Sequence, residues 1–91
     1  MQTRKTRTFT YHEDPGHGWI EVPMQELYAL GIAAKITPYS YRNGETAFLE
    51  EDDDADTLLK ALRAQGVEVT FERRYQEYTP IRHYNPYWCD R

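Results

Sequence analysis

YSYRNGETAFLEEDDDADTLLKALRAQG, residues 39–66, holds a hairpin signal, a run of acid and an amphipathic helix in one uninterrupted piece. Asn43-Gly44 is the hairpin signal, because a two-residue type I′ turn needs positive φ at both central positions, which Asn and Gly tolerate best. Tyr39 and Tyr41 alternate with Ser40 and Arg42 on the way in, and Ala47-Phe48-Leu49 lie on the way out. The pattern predicts strands over Pro38–Arg42 and Glu45–Glu50. Beyond them Leu58, Leu59 and Leu62 mark the apolar face of a helix, and Gly66 is placed to close it.

Between strand and helix stand Glu50, Glu51, Asp52, Asp53, Asp54 and Asp56, six carboxylates in seven residues. A carboxylate in the first turn of a helix meets unpaired N–H groups and the positive end of the helix dipole. Asp52 or Asp53 is therefore expected to cap, and Asp54 or Asp56 to sit in the first turn, each stabilising by a few tenths to about 1 kcal/mol. Capping does not account for Glu50 and Glu51, since six close carboxylates repel one another more than a cap requires. The alternative is a negative surface for a positively charged partner, with Tyr39, Tyr41 and Arg42 of the hairpin as neighbouring anchors.

On the N-terminal side, Thr6–Tyr11 alternates in a β-rich pattern with Phe9 and Tyr11 inward. Asp14-Pro15-Gly16 gives turn chemistry, and Trp19–Val22 reads as a second strand antiparallel to the first, with Trp19 buried between sheet and helices. Pro23 opens a short helix, Met24–Leu30, whose apolar face of Met24, Leu27, Tyr28 and Leu30 ends at Gly31; Ala33–Ile36 adds a further turn before Thr37-Pro38. On the C-terminal side, Val67–Glu72 alternates, sending Val67, Val69 and Phe71 to the core. The order β-β-α-β-β-α-β describes an α+β fold, a mostly antiparallel sheet of about five strands with two helices on one face.

Residues 1–91 are expected to form a single small domain with an aromatic-rich C-terminal tail, about residues 75–91. That tail holds Tyr75, Tyr78, Tyr84, Tyr87 and Trp88 near Arg73, Arg74, Arg82 and His83, and Pro80 and Pro86 argue against regular structure in it. It either packs back over the sheet as a lid or forms an exposed arm used in binding.

Hydrophobic residues make up 40% of the chain and charged ones 29%, enough apolar surface for one core and enough charge for solubility. No apolar run approaches the roughly 20 residues that span a bilayer, so no membrane is expected. The N-terminal stretch is basic without an apolar segment, and Cys89 is the only cysteine, which together point to a reducing cytoplasm. The net charge of −4 argues against general nucleic-acid affinity, yet Arg4, Lys5 and Arg7 give the first twelve residues +3 while residues 50–56 carry −6.

Catalytic chemistry finds no footing. Ser40 is the only serine and lies in a strand pattern without a nucleophile turn. His12, Glu13, Asp14 and His17 are metal-ligand types, but their spacing matches no zinc pattern, and a turn bonded to its own backbone is the simpler reading. Asp52, Asp54 and Asp56 imitate the start of a calcium loop, but Thr57 and Arg63 stand where its glycine and glutamate belong. The chain is read as non-enzymatic, with no cofactor and no metal. Arginines interleaved with aromatics, as in Arg73-Arg74-Tyr75 and Arg82-His83-Tyr84, suit single-stranded nucleic acid. Residues 67–91, however, carry as many acids as arginines, which makes a nucleic-acid-binding module using the basic N-terminus and the tail the second reading.

YHEDPGHGWIEVP at 11–23, LGI at 30–32, YSY at 39–41 and FLEEDDDAD at 48–56 together resemble a group of small proteins carried by bacteriophages and plasmids of Gram-negative bacteria. The likeness covers residues 11 to about 66 and brings no active site with it. It implies the class of anti-defence inhibitors, anti-CRISPR proteins among them, which occupy positively charged surfaces of host nucleic-acid-handling complexes. The partner it implies is a host protein or ribonucleoprotein complex met in the bacterial cytoplasm.

Overall fold

A computed structural model describes residues 5–90. Strand β1 (Lys5–Glu13) turns back into β2 (Gly18–Pro23), which runs directly into helix α1 (Met24–Ala29). A 3-10 turn at Ala33–Lys35 leads to the hairpin β3 (Tyr41–Asn43) and β4 (Thr46–Glu50). Helix α2 (Asp54–Ala64) and strand β5 (Val67–Tyr75) follow, then a 3-10 turn at Pro80–His83 and the two-residue strand β6 (Asn85–Pro86).

The α+β class and the two helices agree with the sequence reading, while the sheet has six strands in the order β5-β1-β2-β4-β3-β6. It is mixed. β5 lies parallel to β1, in register from Lys5 opposite Val67 to Glu13 opposite Tyr75, and every other pairing is antiparallel. The cause is topological. Both edges of β2 are taken, by β1 and β4, and a helical crossover returns a strand parallel to the one it leaves, so α2 delivers β5 to the free edge of β1.

One face of the sheet carries the helices. Alternate residues Phe9, Ile20, Val22, Ala47 and Leu49 meet Met24, Leu27, Ile36, Leu58 and Leu62 in a buried core. Each of these side chains larger than Ala47 stabilises the fold by about 1.5–3 kcal/mol. Val67 and Val69 are only half-buried, and Phe71 is exposed at 37%, because β5 is an edge strand.

Trp19 is buried, at 2% exposure, but not between sheet and helices as expected. It points to the opposite face and packs there with Phe48, Ile81, Tyr41 and Tyr84. Strand alternation requires this: with Ile20 and Val22 committed to the helices, Trp19 must face away. The tail supplies the cover. Pro80 opens its 3-10 turn rather than preventing one, the Thr79 hydroxyl accepts the Ile81 N–H (3.3 Å), and Ile81 is laid onto Trp19 and Phe48. Pro86 joins the sheet opposite Tyr41, at an edge where a missing N–H costs nothing. Tyr87 then enters the helical core, its hydroxyl donating to the Ala33 carbonyl (2.6 Å) and its N–H to the Ser40 carbonyl (2.8 Å). Of the tail aromatics, Tyr78 at 90% is the most exposed.

The hairpin forms where expected with a different turn. Asn43 pairs with Thr46, so the two loop residues are Gly44 and Glu45. Gly44 has φ of 61° and no non-glycine residue among those described has positive φ. This is the pattern of a II′ turn, glycine first, rather than an Asn-Gly I′ turn.

Candidate functional site

The acidic run is divided between internal and external duties. β4 ends at Glu50, whose Oε1 accepts the N–H groups of Asp52 (2.7 Å) and Asp53 (3.1 Å). Glu50 is therefore the residue that ties the turn, and Asp53, at the cap position, makes no side-chain capping bond. Its φ and ψ of −94° and −46° are already helical, which carries its carboxylate away from the N–H groups an extended cap residue would reach.

Asp54 points inward and is 1% exposed. Its carboxylate accepts the Thr37 N–H (3.1 Å), the Thr37 hydroxyl (2.7 Å) and the Ser40 hydroxyl (2.5 Å). Ser40 in turn accepts the Glu50 N–H (3.0 Å). One carboxylate thus locks the 37–40 turn, the end of β4 and the start of α2, with the positive end of the helix dipole stabilising its charge. A surface role for Asp54 is excluded by this burial. The signal was legible in the spacing: Asp54, Leu58 and Leu62 stand four residues apart on one helical stripe.

Glu51, Asp52, Asp53 and Asp56 remain exposed. Glu51 is fixed twice, by its N–H to the Gly18 carbonyl (3.1 Å) and by its carboxylate accepting from the Tyr11 hydroxyl (3.0 Å). Burial, and then the Glu51 carboxylate, push the Tyr11 phenol up to about 12. Asp56 lies 3.0 Å from Lys60, one helical turn on. Among the described residues the carboxylates of Asp52 and Asp53 have no protein partner. Tyr39, 80% exposed, stands on the 37–40 turn that clasps Asp54.

Tyr41 and Arg42 do not join this surface. Tyr41 meets the edge of the Trp19 ring on the tail side (6.3 Å between centroids). Arg42 is 3% exposed, donating to the carbonyls of Gly44 (2.8 Å) and Trp88 (2.9 Å), with its guanidinium over the Trp88 ring (4.2 Å). Both are held by the tail, so neither is free as an anchor. Sequence reasoning placed them at an open hairpin because it left the tail unplaced.

The His-Glu-Asp cluster is likewise occupied internally. Asp14 Oδ1 accepts the N–H groups of Gly16 (2.9 Å) and His17 (2.8 Å), and His12 Nε2 bonds Glu21 (2.7 Å). Among the described residues no group of three or more His, Cys, Asp or Glu side chains is placed to hold a metal. Most of the arginines among the described residues are also engaged: Arg7 with Glu26, Arg73 with Glu13, Arg74 with Glu72 and Arg82 with Asp14. Lys5 and the acidic turn lie toward opposite ends of β1, because Glu13 pairs with Gly18 and Gly18 bonds Glu51. Arg73 and Arg74 sit at the acidic end, so the charge separation along the strand is partial. No helix among the described residues is long and apolar enough to cross a membrane.

Comparison of the chain with protein-family models, with curated proteins and with solved structures gave no match.

Proposed function

We propose that this chain is a non-enzymatic inhibitor of a host defence complex, of the anti-CRISPR class borne by phages and plasmids. It acts in the cytoplasm of the host bacterium by docking Glu51, Asp52, Asp53 and Asp56 onto a positively charged surface of a nucleic-acid-handling protein. One observation carries the reading: the carboxylates of Asp52 and Asp53 are exposed side by side on a turn that Glu50 and Asp54 hold rigid from within. Charge presented on a fixed scaffold steers a basic partner and fixes its register with little backbone ordering left to be done at binding. Tyr39, exposed beside the turn, supplies an aromatic anchor of the kind that dominates interface energies.

The test is charge reversal of Glu51, Asp52 and Asp53 to Lys, leaving Glu50 and Asp54 in place. The variant should keep the circular-dichroism spectrum and lose the protein that the parent chain captures, in a nuclease-resistant manner, from a bacterial lysate. Capture that persists with unchanged affinity and salt dependence removes the acidic turn from the function. Capture that disappears with nuclease favours the nucleic-acid-binding alternative.

A further inference from the structure

We propose that β5 is a self-complementary edge through which two copies of this chain pair antiparallel about a two-fold axis at Phe71, joining their sheets into one. The two ends of the sheet are unequal. β6 is two residues long and contains Pro86, whereas β5 offers nine residues without proline or glycine. A long edge of that kind is a template for another strand unless a device blocks it.

The backbone fixes which registers are open. Gln76 N–H donates to the Glu13 carbonyl (2.9 Å), and the pairing of β5 with β1 runs without a bulge from Val67 to Tyr75. Even-numbered residues therefore turn their N–H and C=O toward β1. By strand alternation Val67, Val69, Phe71, Arg73 and Tyr75 turn theirs outward. An antiparallel partner of the same sequence must pair odd with odd, so its register moves only in steps of two residues.

Charge selects among those registers. With Phe71 opposite Phe71 of the second copy, all nine residues pair, and Glu68 faces Arg74 twice, once on each side of the axis. Val67 meets Tyr75 at both ends. A slide of two residues one way sets Glu68 against Glu72 twice, and the other way sets Glu72 against itself. Like charges directly opposite destabilise a ladder and opposite charges support it, so the full-length register is also the favoured one. It covers Phe71 and Tyr75, two large apolar side chains left 37% and 61% exposed. Beside them, on the helical face, Leu59, Arg63, Val67 and Val69 line a shallow depression, and this register sets Tyr75 of the second copy against its Val67 side. The internal ion pair of Arg74 with Glu72 is long (3.6 Å) and exposed, and Glu68, engaged within its own chain, is exposed as well, so both sides exchange a surface contact for the contact between copies.

Sedimentation of the whole chain from about 1 μM to about 1 mM should show a reversible monomer–dimer equilibrium. Glu68→Arg alone opposes two arginine pairs and Arg74→Glu alone two glutamate pairs, so each should raise the dissociation constant about tenfold or more. Mixed together, the two variants restore both opposite-charge pairs and should form a heterodimer at the parental concentration. Residues 68 and 74 are exposed, so both variants retain the fold. A monomer at every concentration overturns the proposal and leaves the edge to a strand of another protein. Dimerisation that neither variant weakens places the contact elsewhere and overturns it equally.

Discussion

Asp14 and Arg82, 68 residues apart, form a two-point ion pair: Arg82 Nε donates to Oδ2 (2.5 Å) and Nη2 to Oδ1 (2.9 Å). The bridge ties the tail to the first β-turn, and the same guanidinium lies over the Trp19 ring (5.4 Å). The Arg82 hydrogen bond, helped by the N–H groups of Gly16 and His17, holds the Asp14 carboxyl well below the usual carboxylate range. A carboxylate depressed on folding contributes stability that is fully present above its unfolded pKa of about 3.9 and is lost as pH falls toward the folded value. Asp14→Asn retains the turn bonds and loses the ion pair. It should cost about 1 kcal/mol at neutral pH, the low end for charged hydrogen bonds because Arg82 is partly exposed. Denaturant midpoints of parent and variant should converge below about pH 4; a difference that does not change with pH would mean the Asp14 charge is irrelevant.

Asp54 makes the stronger prediction. Asp54→Ala leaves Ser40, Thr37 and the Thr37 N–H without their acceptor at a buried site, which should cost upward of about 2 kcal/mol. Ser40→Ala removes two links, the bond to Asp54 and the acceptor of the Glu50 N–H, but leaves both Thr37 bonds in place, and should cost about 1–2 kcal/mol, less than the loss of Asp54. Chemical unfolding of the two variants checks the order. Equal or reversed losses would show that Ser40, not Asp54, organises the junction.

Those two carboxylates show where the sequence was legible and where it was not. Apolar pattern and turn signals found both helices and the first five strands to within a few residues, because the apolar runs Trp19–Val22 and Ala47–Leu49 belong to strands buried on both faces and the alternation of Val67–Phe71 to an edge strand. It did not find the parallel pairing of β5, since strand direction depends on which sheet edge is open and not on local pattern. Within the acidic run, solvent exposure and capping predict the same residue types, so composition could not separate buried Asp54 from exposed Asp52. Arg42 and Tyr41 were misplaced for a related reason: their partners Trp88 and Pro86 lie in a tail with no period to read.

The hairpin offers a local test. Asn43 has negative φ and pairs in the ladder, whereas Gly44 has φ of 61°. Asn43→Ala should therefore change stability by no more than about 0.5 kcal/mol, and Gly44→Val, which forces a β-branched residue into the left-handed region, should cost more than about 1 kcal/mol. Thermal unfolding that finds the two substitutions equally harmful would restore the Asn-Gly I′ turn.

Trp19 reports on the tail. It is buried because Ile81 covers it and Arg82 lies across it, so its environment depends on residues 79–84 staying in place. In a Trp88→Phe background, which leaves Trp19 as the sole indole, emission should be blue-shifted and resistant to an aqueous quencher. Ile81→Ala removes the apolar cover and should cost about 2–5 kcal/mol if the whole fold depends on that contact. The helical core is on the other face of the sheet, however, and Tyr87 is anchored there independently through Ala33 and Ser40. The expected result is local release: red-shifted, quenchable Trp19 emission at a denaturant concentration below that which abolishes the helical circular-dichroism signal. Coincident loss of both signals in Ile81→Ala would show that the tail and the helical core unfold as one cooperative unit.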